Sequence, residues 1–143
     1  MTELDAGEAR TRLAAARVAR LATSDAACRP HVVPMTFAVL DATTIVSAID
    51  HKPKRTTALR RLANIAANPQ VSVLADHYDE DWTQLWWARA DGTARAVAAD
   101  QEIDLRARAV AALRERYAPY RDRPPAGALV VIDVVRWSGW AAA

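Results

Sequence analysis

Residues 18–49 read VARLATSDAACRPHVVPMTFAVLDATTIVSAI, and the alternation in this run decides the fold. Val33, Met35, Phe37 and Val39 fall on every second position, the period of a strand with one buried face. Strands are expected over Val18–Ser24, Pro30–Leu40 and Thr43–Ile49, the last alternating Thr43, Ile45, Ser47 and Ile49 with Thr44, Val46 and Ala48. Asp25-Ala26-Ala27-Cys28 and Asp41-Ala42 are short turns, and turns that short join antiparallel neighbours only. Pro34 has no N–H to give a ladder, so its strand is an edge or is bulged there.

Upstream, Thr2-Glu3-Leu4-Asp5 reads as a capping box opening a helix near 3–16, with Leu4, Ala9, Leu13 and Ala16 as its buried stripe. Downstream, Val71–Ala75 is a fourth strand, followed by the acidic run Asp76 to Asp81. Leu85–Ala90 and Thr93–Ala98 are expected as two strands joined at Asp91-Gly92, a strong hairpin signal. Asp100 is placed to cap a helix with Ile103, Val110, Leu113 and Tyr117 on one side, which Pro119 and Pro124-Pro125 break. Ala128–Val135 is an apolar strand that continues through Arg136 to Trp140. Hairpins dominate over crossovers, so the expected fold is mainly β, a small antiparallel barrel of about seven strands and three helices rather than a doubly wound sheet.

The basic segment His51 to Arg61, HKPKRTTALRR, stands apart. It holds both lysines, Lys52 and Lys54, together with Arg55, Arg60 and Arg61, five of the 19 basic residues. No Asp or Glu occurs between Asp50 and Asp76 to neutralise them. Thr56 or Thr57 can cap a helix here, Leu59, Leu62, Ala63 and Ala66 keep its period, and Pro69 follows its end. Cations at a helix start oppose the macrodipole by about 0.3–1 kcal/mol each. A bound anion reverses that sign, because backbone N–H groups and basic side chains then share its oxygens. The segment therefore reads as a phosphate-binding corner, with a solvated basic face as the alternative.

Composition narrows the rest. The chain has 143 residues, enough for one domain over 1–143, with 52% hydrophobic and 25% charged residues, an ordinary globular balance. A net charge of +2 gives no case for nucleic-acid binding by itself. One cysteine, Cys28, excludes an internal disulfide and a cysteine-rich zinc site. His31, His51 and His77 have no metal-ligand spacing, so no metal is expected. The scattered Gly7, Gly92, Gly127 and Gly139 exclude a dinucleotide fingerprint and a Walker loop, and there is no G-x-S-x-G elbow. The N-terminus lacks a signal core and no apolar run nears the roughly 20 residues of a membrane span, so a cytoplasmic protein with no membrane partner is expected. Five tryptophans, Trp82, Trp86, Trp87, Trp137 and Trp140, serve either core and interface or a ring-binding site.

The order of these features resembles the FMN-binding split barrel of the pyridoxamine 5′-phosphate oxidase superfamily. Ala19-Arg20-Leu21-Ala22-Thr23-Ser24 and Arg29-Pro30-His31-Val32-Val33-Pro34-Met35 carry the resemblance on the first hairpin. Ser47, the basic segment, Asn64-Ile65-Ala66-Ala67-Asn68-Pro69 and Leu85 to Ala94 add to it. Within the superfamily, Lys52-Pro53-Lys54-Arg55 to Arg61 and the Trp86-Trp87 pair are most similar to the actinobacterial branch that uses coenzyme F420, an 8-hydroxy-5-deazaflavin with a phosphate-containing oligoglutamate tail. The resemblance implies a homodimer with the cofactor in the groove between subunits. It further implies that Lys54, Arg55, Arg60 and Arg61, with Lys52, meet the phosphate and tail, and that Ser47 and Asn64 add polar contacts. Val33, Pro34, Met35 and Thr36 would lie beside the ring, and Trp87 near ring or substrate. The family commonly has Asp-Gly where this chain has Asp25-Ala26-Ala27-Cys28.

The implied activity is F420-dependent hydride transfer to or from a small unsaturated molecule, with no catalytic side chain named. An FMN-dependent pyridoxamine 5′-phosphate oxidase-like enzyme and a non-catalytic deazaflavin carrier are the alternatives. A nucleic-acid role for the basic segment stands last.

Overall fold

A computed structural model describes residues 2–49 and 57–142, with side chains in the second segment from Arg60 onward. The expectations for His51, Lys52, Lys54, Arg55 and Thr56 lie outside the described residues. The elements are β1 (Thr2–Glu3), α1 (Ala6–Ala15), β2 (Ala19–Ser24), β3 (Pro30–Met35), β4 (Ala38–Asp41), β5 (Thr44–Ala48), α2 (Thr57–Ala67), β6 (Gln70–His77), β7 (Trp86–Val97), α3 (Ile103–Arg116), α4 (Ala118–Asp122) and β8 (Leu129–Ala141). Every strand pair is antiparallel, and the sheet runs β3-β2-β6-β7-β8-β5-β4 with β1 attached to β8. β3 is an edge, which is why Pro34 is tolerated.

The sheet has two differently covered halves. Leu21, Val33, Val73, Ala88, Ala90 and Ile132 join Ala9 and Leu13 of α1 in one core. Val46, Val97, Leu129 and Val131 join Ala109, Leu113 and Tyr117 in a second core under α3. The first stretch of β8 is thus buried on both faces, which explains its unbroken run Leu129-Val130-Val131-Ile132. Over β3, β2, β6 and β7 no described residue covers the opposite face, and Val32 there is 61% exposed.

Five local expectations are corrected. Thr2-Glu3 is a strand on Trp140–Ala141, and Asp5 caps α1 instead, its Oδ1 accepting the Glu8 N–H at 2.8 Å. The expected strand Pro30–Leu40 is two, broken at Thr36-Phe37. Asp91-Gly92 is no hairpin: β7 runs through it, and the register against β8 shifts from Asp91↔Arg136 to Gly92↔Val134. A Cβ at Gly92 would collide with the Asp133 carbonyl, so the glycine serves close backbone approach at a bulge, a role with the same sequence signal as a turn. Asp100 does not cap α3; Glu102 holds that position at φ 46°, tied by Arg95 at 2.8 and 3.1 Å. Ile103 is 61% exposed instead of joining the buried side, and Pro119 begins α4 as much as it ends α3.

Candidate functional site

The break between β3 and β4 is irregular backbone held by the side chains of Ser47, Tyr117 and Tyr120. Residues 36 and 37 leave the ladder, so their polar groups need other partners. Ser47 of β5 is buried and donates its hydroxyl to the Thr36 carbonyl at 2.8 Å. The Tyr117 hydroxyl accepts the Phe37 N–H at 3.2 Å and reaches the carbonyls of Arg17 at 2.9 Å and Phe37 at 3.2 Å. The Tyr120 and Thr36 hydroxyls are hydrogen-bonded at 3.0 Å, and the two tyrosine rings meet edge to face at 5.9 Å. The short helix α4 is what brings Tyr120 there.

Arg61 of α2 lies within electrostatic reach of Tyr120. It is half-buried, its Nε is buried without a hydrogen-bond partner, and it forms no ion pair among the described residues. Desolvation pulls its pKa down, and among the described residues the ionised phenolate of Tyr120, present only where an arginine titrates, acts in the opposite direction. A guanidinium so placed is an electrostatic deficit that an anion would fill.

Adjacent Arg60 lies on a different side of α2, since neighbouring helical residues are about 100° apart. It lines a recess of about 300 Å³ with Asp25, Arg29, Pro30, His31 and Asn64. Asn64 is buried and donates Nδ2 to Thr23 Oγ1 at 3.0 Å, which locks α2 to β2.

The expected ring-side residues divide between faces. Val33 and Met35 point into the core, whereas Pro34 pairs with Arg20 on the uncovered face. Trp87 lies on that face too, registered against Trp140, with Arg89 stacked over its ring at 5.5 Å. Trp86 points the other way, onto the core, beneath His77 at 6.5 Å. Pro34 and Trp87 are separated by β2 and β6, roughly 14 Å at ordinary strand spacing. One chain therefore joins Thr36 to Ser47 and Tyr120, sets Arg61 within electrostatic reach of Tyr120, places Arg60 and Asn64 in a recess lined by neither Thr36 nor Arg61, and leaves Trp87 remote.

Sequence reading missed Tyr120, Tyr117 and His31. Tyr120 and Thr36 are 84 residues apart and follow no shared period, so no local signal joins them. No group of three or more potential metal ligands occurs among the described residues, and none of their helices is long and apolar enough to cross a membrane.

Residues 6–141 match the family model for pyridoxamine 5′-phosphate oxidase. No curated protein matches the chain. Among solved structures, an FAD-binding protein of Mesorhizobium loti is 23% identical with a TM-score of 0.72, covering 96% of this chain and 95% of its own. An FAD-binding protein of Mycobacterium smegmatis is 24% identical with a TM-score of 0.63, covering 98% and 97%. A heme storage protein of Vibrio cholerae is 21% identical with a TM-score of 0.68, covering 94% and 92%. The shared fold is the antiparallel split barrel.

Proposed function

The chain belongs to the pyridoxamine 5′-phosphate oxidase family, and from that premise we propose that it is a cytoplasmic, F420-dependent oxidoreductase acting on a small unsaturated organic molecule. The observation that carries the reading is Arg61, a half-buried cation with an unpartnered Nε, within electrostatic reach of the Tyr120 that is bonded to Thr36. A cofactor phosphate supplies the missing anion, and Lys52, Lys54 and Arg55 add charge from the same segment. Choosing the deazaflavin over FMN rests on the basic segment and the Trp86-Trp87 pair.

Bound F420 supplies hydride transfer at its central ring carbon. The protein's own part is to bind, orient and shield. Thr36, held by Ser47 and Tyr120, offers a fixed edge beside the ring, and Arg61 anchors the charged end. Trp87 reaches a ring only in a homodimer, where the uncovered sheet face of a second copy completes the groove. No side chain is assigned proton transfer.

A second reading is favoured by the two similar FAD-binding proteins: a flavin nucleotide, FMN before others, occupies the same corner of an oxidase. A third, carriage without catalysis, draws on the similar heme storage protein. Titration with F420 and with FMN, followed by fluorescence and absorbance, separates the first two. Preferential FMN binding overturns the deazaflavin choice, and tight binding without turnover across a broad substrate panel favours a carrier. Replacing Arg60 and Arg61 together by Ala is expected to weaken cofactor binding at least tenfold with the fold intact, each charged hydrogen bond being worth about 1.5–3 kcal/mol.

A further inference from the structure

The recess beside Arg60 is not the Thr36 corner: neither Thr36, Arg61 nor Tyr120 lines it among the described residues. Its floor is the first hairpin turn. Asp25 Oδ1 accepts the N–H groups of Ala27 at 2.9 Å and Arg29 at 3.0 Å, and Oδ2 accepts Arg29 Nε at 2.8 Å. These contacts, the Arg29 N–H first, hold Asp25 below the usual carboxylate range, so its charge is present and already matched. Of the remaining polar lining, Arg60 joins no ion pair among the described residues. His31 has its Nδ1 buried without a hydrogen-bond partner. Asn64 is fixed by Thr23, so the lining is rigid on the α2 side.

A concave site with one matched carboxylate, a surplus guanidinium and an imidazole whose Nδ1 has no partner is short of an acceptor when Nδ1 carries the proton, as it does in the imidazolium. We propose that this recess is a second, separate oxyanion site, holding one carboxylate or phosphate group between Arg60 and His31. The group is either free in solution or carried by the cofactor tail. The latter source rests on the cofactor reading above; the site itself does not.

The test is a titration of the full chain with inorganic phosphate, followed by NMR at the His31 ring protons and the Asn64 side-chain amide. Saturable shifts at both in the millimolar range are expected. Arg60→Gln should weaken them at least tenfold and His31→Gln severalfold. Arg123→Gln, which removes an equal charge from the exposed end of α4, should leave the affinity within twofold. No saturable shift, or equal weakening by Arg60→Gln and Arg123→Gln, overturns the site. A second arm adds F420 to the phosphate-loaded protein. Displacement at the same resonances assigns the oxyanion to the cofactor tail, whereas cofactor binding with phosphate retained overturns that source and leaves a free anion. Phosphate binding without any cofactor binding retains the recess and refutes the cofactor reading alone.

Discussion

Cys28 sits at φ 63° in the first hairpin turn, the left-handed conformation that costs a residue with a Cβ about 1–2 kcal/mol. Its N–H bonds the Asp25 carbonyl at 3.0 Å, so the turn is a tight one closed by a left-handed residue. Cys28→Gly is therefore expected to stabilise the protein by about 0.5–1 kcal/mol, the relieved strain less the entropy glycine adds to the unfolded chain, as read by urea denaturation. A lower midpoint would show that the thiol makes a contact worth more than the strain. Gly92 gives the opposite sign. Gly92→Ala drives a methyl into the Asp133 carbonyl, so a loss of about 1–3 kcal/mol is expected, and an unchanged midpoint would mean that the bulge rearranges freely. Position 28 betrays its conformation to sequence reading only as a turn, and position 92 misleads, because Asp-Gly signals bulge and hairpin alike.

Among elements, the α3–α4 corner decides the shape of the site. Its two tyrosines hold the strand break that a continuous Pro30–Leu40 reading overlooked. Tyr117→Phe removes a hydroxyl that serves three backbone groups and leaves them buried. A destabilisation of about 1–3 kcal/mol follows. Faster proteolytic cleavage near residues 36–37 should accompany it, and cleavage unchanged in rate and position would mean that the break is held by Ser47 alone. The existence of α1, α2 and α3 was legible from apolar spacing, as was the start of α2 at Thr57, whereas the starts of α1 and α3 were not. Asp5 and Glu102 own their positions through contacts with Glu8 and Arg95, of which only the first is local enough to read in advance.

At the scale of the whole molecule, four carboxyl groups among the described residues have their pKa values lowered in the folded state. Backbone hydrogen bonding dominates for Asp25 and Asp41, and side-chain hydrogen bonding for Asp81 and Glu102, from Thr83 and Arg95 respectively. The unfolded chain thus binds protons first as pH falls. Stability should be flat above about pH 5 and decline as pH drops below the unfolded values, about 3.9 for Asp and 4.3 for Glu, through the lower folded ones. Chemical denaturation at stepped pH checks this, and stability that rises on acidification would refute it. The uncovered face carrying Val32, Leu74 and Trp87 supports the proposed homodimer. Leu74→Arg, near the centre of that face, should give a monomer by sedimentation with reduced cofactor affinity, and a mutant that stays dimeric moves the interface elsewhere.

By itself the sequence determined the antiparallel, mainly β architecture, the restriction of Pro34 to an edge or a bulge, and the concentration of unneutralised cations from Lys52 to Arg61. These are matters of period, a missing donor and formal charge, all local quantities. Only the tertiary structure decided that Arg60 lines a recess to which Arg61 does not contribute, that Tyr120 is bonded to Thr36, and that Pro34 and Trp87 are separated by two strands within one chain. Such proximities come from how a twisted sheet folds its distant edges and helices together, and no spacing along the chain encodes them.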